Sequence, residues 1–542
     1  MPGTARPHHW SLTRERTWEL SRAGTPRLLL GGQVHNSSSS SPEAIAASFA
    51  HARATHANLV IAPVSWAQFE PVEGTFDVSL LDAMLGEAHE LGLTLVLLWF
   101  GSWKNATSTY APRWVRADRA RFPRAVVDPA GRRPMSYDGA TPVPVLTAFS
   151  PELLAVEKTA FEHLAQHVAR ADRSGLVAMI QVENEAGILG DSRDRSPEAE
   201  AVWNEEVPRA LLAHLESAPA DSLARRLWEA QGAPRSGTWA DVLGTGSDVD
   251  EVFMAWGVGS FVGALAAHGR EFLDVPMFAN AWLGPQPGME EPGQYPSGGP
   301  ASRVLDVWRA AAPELALLAP DIYGVDADSV MRTYAADGRP FFVPECRPSA
   351  AELVRAVGTY DAIGWSVFGV DDSNPYGQLA STLGFLTGLE AEILEARAAG
   401  LLAAVVLDPG TGAAEVVVGG VHITARAALP LFRHIALDAG VVMPEGELPV
   451  PDETVTGTLI PVQGERRPFA LVIGRSEDTV VVIGQGLILD FATEDGCEVD
   501  EVEELVLHDG VVTTGRVVNG DERLQNLPVT HVGGARITLL RG

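Results

Sequence analysis

Two glutamates close apolar runs in this chain: Glu185 in "QVENEAG" (181–187) and Glu345 in "VPECRPS" (343–349). A buried strand gains nothing by ending on a carboxylate, because removing a charge from water is costly unless the charge is paired or used. A pair of carboxyl groups flanking a sugar bond has such a use. One acid protonates the leaving oxygen, while the other attacks the anomeric carbon or activates water.

Other apolar runs also end on groups suited to a polar ligand. The first is followed by Gln33, His35 and Asn36, and the second by Trp66, Gln68 and Glu70. The third leads into Trp99, Trp103, Lys104 and Asn105, and the fourth into Glu183, Asn184 and Glu185. Later runs present Asn280 and Trp282, then Asp321 and Tyr323, then Glu345, and finally Trp365 before "FGVDDSNPYG". Aromatic faces stack on sugar C–H surfaces, and amides satisfy hydroxyls. Trp66, Trp103, Trp282 and Trp365 are equally at home in a packed core. By strand alternation Glu183 faces inward with Gln181 and Glu185, where it serves either a structural hydrogen bond or the substrate. Tyr323 is placed to touch the Glu345 carboxylate. His35 with Asp371 and Asp372 lacks the spacing of a metal site, and no metal or cofactor is expected. Cys346 reads as a packing residue.

These residues need a scaffold that gathers strand ends. The runs span 27–32, 57–63, 93–100, 176–185, 275–281, 317–324, 340–345 and 362–369, with amphipathic helical stretches such as 79–92 and 152–171 between them. Near-continuous apolar strands alternating with helices predict parallel strands buried on both faces. Eight repeats predict an α/β fold, a (β/α)8 TIM barrel whose carboxyl-end face carries the site. An open doubly wound sheet is the competitor, but no glycine-rich phosphate loop follows the first strand. The expected organisation is an N-terminal extension (1–26), a barrel over 27–400 with a long insertion at 190–270, and a smaller all-β sandwich over 405–542. The last rests on "AAEVVVGGVHITARA", "ETVTGTLIPVQ", "FALVIGRSEDTVVVIGQGLILDFAT" and "ARITLLRG".

The formal charge is −30, from 40 Lys+Arg against 70 Asp+Glu, which disfavours phosphate backbones and anionic lipid. Two cysteines permit at most one disulfide. No secretory h-region is visible and no run reaches the ~18 apolar residues of a spanning helix, so a cytoplasmic location is expected, without nucleic-acid or membrane partners. A homodimer is possible, with the long insertion near the site as the hint.

"QVENEAG" resembles the strand-4 signature of glycoside hydrolase family 35, the retaining β-galactosidases. "LLLGGQVHN" and "VSWAQFEPVEGTFDVSLLD" are similar to two further segments of that family, and "GSWKNATSTYAPRWV" to its bacterial branch with an appended β-domain. The resemblance covers about residues 27–370. It implies a clan A barrel in which Glu185 is the general acid/base, Asn184 bonds the sugar 2-hydroxyl and Glu345 is the nucleophile. Ala186 stands where the family carries an aromatic residue, and "VPECRPS" departs from its usual nucleophile context. The expected activity is a retaining exo-β-glycosidase acting on terminal β-galactosides of oligosaccharides. Other sugars (β-glucoside, α-L-arabinopyranoside, β-galactofuranoside) or a catalytically idle carbohydrate-binding barrel are the alternatives.

Overall fold

In the computed structural model, residues 10–127, 145–323, 326–428, 467–524 and 526–542 are described. Parallel strands β1 (Leu29–Gln33), β2 (Leu59–Ser65), β3 (Thr94–Lys104), β4 (Val177–Asn184), β5 (Met277–Trp282), β6 (Leu317–Ile322), β7 (Phe342–Val343 and Glu345–Cys346) and β8 (Gly364–Phe368) form a nearly closed barrel. Strand β7 completes the ring in two halves: Phe342–Val343 pairs with β8, and Glu345–Cys346 pairs with β6. Pro344 separates them, and a proline has no N–H for the ladder.

The apolar strands pack on both faces, as their composition requires. Leu29, Ile61, Val96, Leu98, Phe278, Leu317 and Phe342 fill the barrel interior, while Leu30, Val60, Leu97 and Val343 belong to the layer shared with the helices. The segment read as an extension is partly structural. Trp10–Arg14, Trp18–Arg22 and Thr25–Arg27 form an antiparallel sheet whose Trp10 and Leu20 join the interior cluster. Trp10 Nε1 donates to Gly175 O at 2.9 Å, tying this sheet to the residues just before β4, at the barrel end opposite the strand carboxyl termini.

The insertion is helical. Its longest helix, Ser247–Arg270, has a most apolar window of mean hydropathy 1.4, long and apolar enough to cross a bilayer, against the expectation from the sequence. It lies inside the molecule instead, 67% of that window being buried, packed on helices Pro151–Ala171 and Leu305–Ala311.

Beyond Gly400, a left-handed helix C-cap, two antiparallel sheets follow. One has six strands in the order Leu402–Val406, Phe469–Gly474, Thr479–Gln485, Gly533–Arg541, Cys497–His508 and Val511–Val517. The other pairs Ala413–Val418, Val421–Ala427 and Leu487–Ala492. Strands Cys497–His508 and Val511–Val517 are absent from the sequence reading because acidic and exposed residues obscure their alternation. "ETVTGTLIPVQ" lies outside the described residues.

Candidate active site

A cavity of about 950 Å³ opens at the carboxyl ends of the strands. Its walls include Glu185 at the end of β4, Asp321 on β6 and Glu345 on β7, with Lys104, Asn105, Trp282 and Tyr323. Asp321 and Glu345 are direct neighbours in the β6–β7 register. Two loop segments build the sides: Thr107–Tyr110 after β3, and Leu283–Met289 after β5.

Hydrogen bonds fix the acids from behind. Asn280 on β5 spans three strands. Its Oδ1 accepts Glu185 N at 2.9 Å, and its Nδ2 donates to Asp321 Oδ2 at 2.6 Å and reaches Asn184 Oδ1 at 3.4 Å. Tyr323 OH donates to Glu345 Oε1 at 2.7 Å. The second oxygens, Glu345 Oε2 and Asp321 Oδ1, are buried without a protein partner among the described residues. Glu185 has φ +48°, a left-handed conformation that costs a non-glycine residue energy and is typical of functional sites.

Burial is the largest cause pushing the Glu185 carboxyl up, to about 7; the Glu345 charge adds to it and Lys104 opposes it. Burial, then Glu345 and Glu185, hold Asp321 well above the usual carboxylate range. Burial and Glu345 also raise the Tyr323 phenol, which keeps it a donor. The site therefore holds a carboxyl group pushed up to about 7 in the same cavity as Glu345, one of whose oxygens has no protein partner among the described residues.

Several residues expected at the ligand lie elsewhere. Trp66 is fully buried; its Nε1 donates to Glu70 Oε2 at 2.8 Å and its ring packs on Trp99 and Trp114. Trp103 is buried edge-on against Phe261 of the long helix. Trp365 shares its register with Val343 and Leu30, both on the helix side, so alternation carries it out of the barrel. Glu183, at φ +64°, departs from strand alternation and turns behind the sheet. Asn184 stands behind Glu185, its Nδ2 3.5 Å from Glu185 Oε2, and does not line the cavity. His35 binds Asp372 Oδ2 through Nε2 at 2.6 Å, leaving its neighbour Asn36 on the cavity wall. Conversely, Lys104, Asn280 and Asp321 stand at strand ends in the sequence, but only their convergence singles them out. Among the described residues no cluster of His, Cys, Asp and Glu is arranged to hold a metal ion.

Residues 36–216 match the glycoside hydrolase family 42 model, described as β-galactosidase. The matched segment contains Glu185 but stops before Glu345, and the matching model is of family 42 rather than the family 35 that the motif resembles. A second model, of a domain of unknown function, matches residues 379–530. No curated protein matches. Similar solved structures include the β-galactosidase of the psychrophilic Marinomonas ef1, at 14% identity and TM-score 0.44, covering 67% of this chain and 60% of that one. The catalytic domain of the Paenibacillus polymyxa β-amylase has 12% identity and TM-score 0.43, over 64% of this chain and 94% of that one. The exo-β-1,4-mannosidase from Opitutaceae bacterium strain TAV5 has 13% identity and TM-score 0.36, over 68% of this chain and 54% of that one. The chain thus spans 60% of the length of the first of these proteins.

Proposed function

We propose that this protein is a retaining exo-β-glycosidase acting on terminal β-galactosides. The observation that carries the reading is the shared cavity of Glu185 and Glu345, in which burial and the second carboxylate keep Glu185 protonated near neutrality. Glu185 donates its proton to the glycosidic oxygen as Glu345 Oε2 attacks the anomeric carbon, releasing the aglycone and leaving a glycosyl ester. Tyr323 steadies the other oxygen of Glu345. Glu185, now ionised, takes a proton from water, which displaces Glu345 and restores the β-configuration. The β-galactosidase description of the matching segment supports galactose. Family 35 likeness in "QVENEAG" supports the same pairing of roles.

The test uses azide. Glu345→Gly should lose turnover of an aryl β-galactoside and regain it with azide, giving the inverted α-galactosyl azide. Glu185→Ala should give the retained β-azide instead. Products of the opposite anomeric form would exchange the two roles, and an inactive wild type across a panel of aryl glycosides would end the hydrolase reading.

A further inference from the structure

Behind the cavity lies a second pair of acids. The β3–β4 register slips between Trp99, which pairs with Val182, and Lys104, which pairs with Asn184, so the residues between them bulge from the ladder. A bulge leaves backbone N–H groups without strand partners, and here a carboxylate takes two of them. Glu183 Oε1 accepts Ser102 N at 2.9 Å and Oε2 accepts Trp103 N at 2.8 Å. Glu157, on the helix Pro151–Ala171 outside the barrel, accepts Trp99 Nε1 at 2.9 Å and the Ser102 hydroxyl.

Both acids are sealed, Glu157 at 0% and Glu183 at 1% exposure. Burial, then the Glu157 charge, hold the Glu183 carboxyl well above its usual range. Gly101 makes the room: a Cβ there would stand 2.0 Å from Glu157 Oε1 and 2.6 Å from Glu183 Oε1. Buried acids are costly unless hydrogen-bonded, and here both accept hydrogen bonds from the bulge. The bulge ends at Lys104 and Asn105, both on the cavity wall, and its exit is bonded to the acid-bearing strand: Asn105 N to Asn184 O at 3.2 Å, Ala106 N to Glu185 O at 3.0 Å.

We propose that Glu157 is a positioning residue: with Glu183 it props the β3 bulge and thereby holds Lys104, whose Nζ bonds Asn105 Oδ1, on the wall of the cavity it shares with Glu185 and Asp321. This rests on Glu185 being the acid/base. The titratable groups lining the cavity around Glu185 are Lys104, Tyr110, Asp321, Tyr323 and Glu345, and of these Lys104 is the cation.

The experiment is the pH profile of kcat/KM on an activated aryl β-galactoside. Glu157→Ala should raise the alkaline limb by roughly half to one pH unit, because Glu185 loses the lysine that favours its ionised form. Lys104→Met should raise it similarly, and the double variant should show no further rise. Glu157→Gln, which keeps the shape and an acceptor, should restore the wild-type limb. If Glu157→Ala does not fold, Ser102→Ala carries the same readout. An activity loss with an unmoved limb, or additive shifts in the double variant, overturns the proposal. Glu185→Ala separates the two levels: a limb that persists in that variant overturns the acid/base reading itself. A limb lost there but unmoved in Glu157→Ala overturns only the positioning role.

Discussion

At the scale of single residues, the proposed chemistry depends on one carboxyl group whose proton affinity the fold has raised. On the proposed mechanism activity needs Glu185 protonated, so the rate should fall as pH rises through about 7. The same shift has a cost in stability. Its folded-state value lies above the ordinary 4.5 of a glutamate, so stabilisation is full below about 4.5 and is lost as pH rises towards 7, by about 3 kcal/mol in all. Glu185→Gln should therefore melt well above wild type at pH 8 and close to it at pH 4.5, measured by calorimetry. Tyr323→Phe removes the hydrogen bond that Tyr323 OH donates to Glu345 Oε1. A bond to a charged group is worth about 1.5–3 kcal/mol, so kcat should drop by ~10–100-fold with KM little changed, as read from steady-state kinetics.

At the scale of elements, close helix packing decides the sign of a substitution that propensity alone would favour. Glycine to alanine inside a helix gains about 0.5–1 kcal/mol. Gly86, in the exposed face of helix Ser79–Leu91, has no atom within 4 Å of the added Cβ, so Gly86→Ala should raise the melting temperature. Gly263, in the long helix Ser247–Arg270, would bring its Cβ to 2.8 Å from Ala312 Cα, a backbone atom of the segment that follows helix Leu305–Ala311. Overpacking of this kind costs about 1–3 kcal/mol. It exceeds the propensity gain, and Gly263→Ala should lower the melting temperature. Opposite signs for the same chemical change would be read in paired thermal melts.

Across the whole molecule, the C-terminal sheet is part of the barrel's support. Along the strand Phe469–Gly474 alternate residues serve different cores: Leu471 and Ile473 join the barrel's helical layer, whereas Ala470 and Val472 join the sandwich interior. Helix Ala350–Gly358, which follows strand β7, packs on this sheet, with Arg355 bound to Asp408 at 2.6 Å across the boundary. Removing everything after Gly400 would uncover that apolar face. The truncated chain should be insoluble or bind a hydrophobic dye strongly, and the full chain should unfold in one calorimetric transition spanning both parts. Separate transitions with a soluble, active barrel would contradict this account.

The barrel was legible in the sequence because strands buried on both faces must be continuously apolar, and the eight runs declare themselves by composition. The acids at the ends of the fourth and seventh runs were legible for the converse reason, that a carboxylate closing an apolar run has no cheap structural explanation. What lay beyond the sequence depends on direction. A positive φ at Glu183, the slipped register beyond Trp99 and the side on which Trp365 falls decide whether a side chain meets the cavity or the helices. None of these follows from residue type. Only the tertiary structure brought Lys104, Asn280 and Asp321 around Glu185 and Glu345, because the packing that closes the ring of strands sets their convergence.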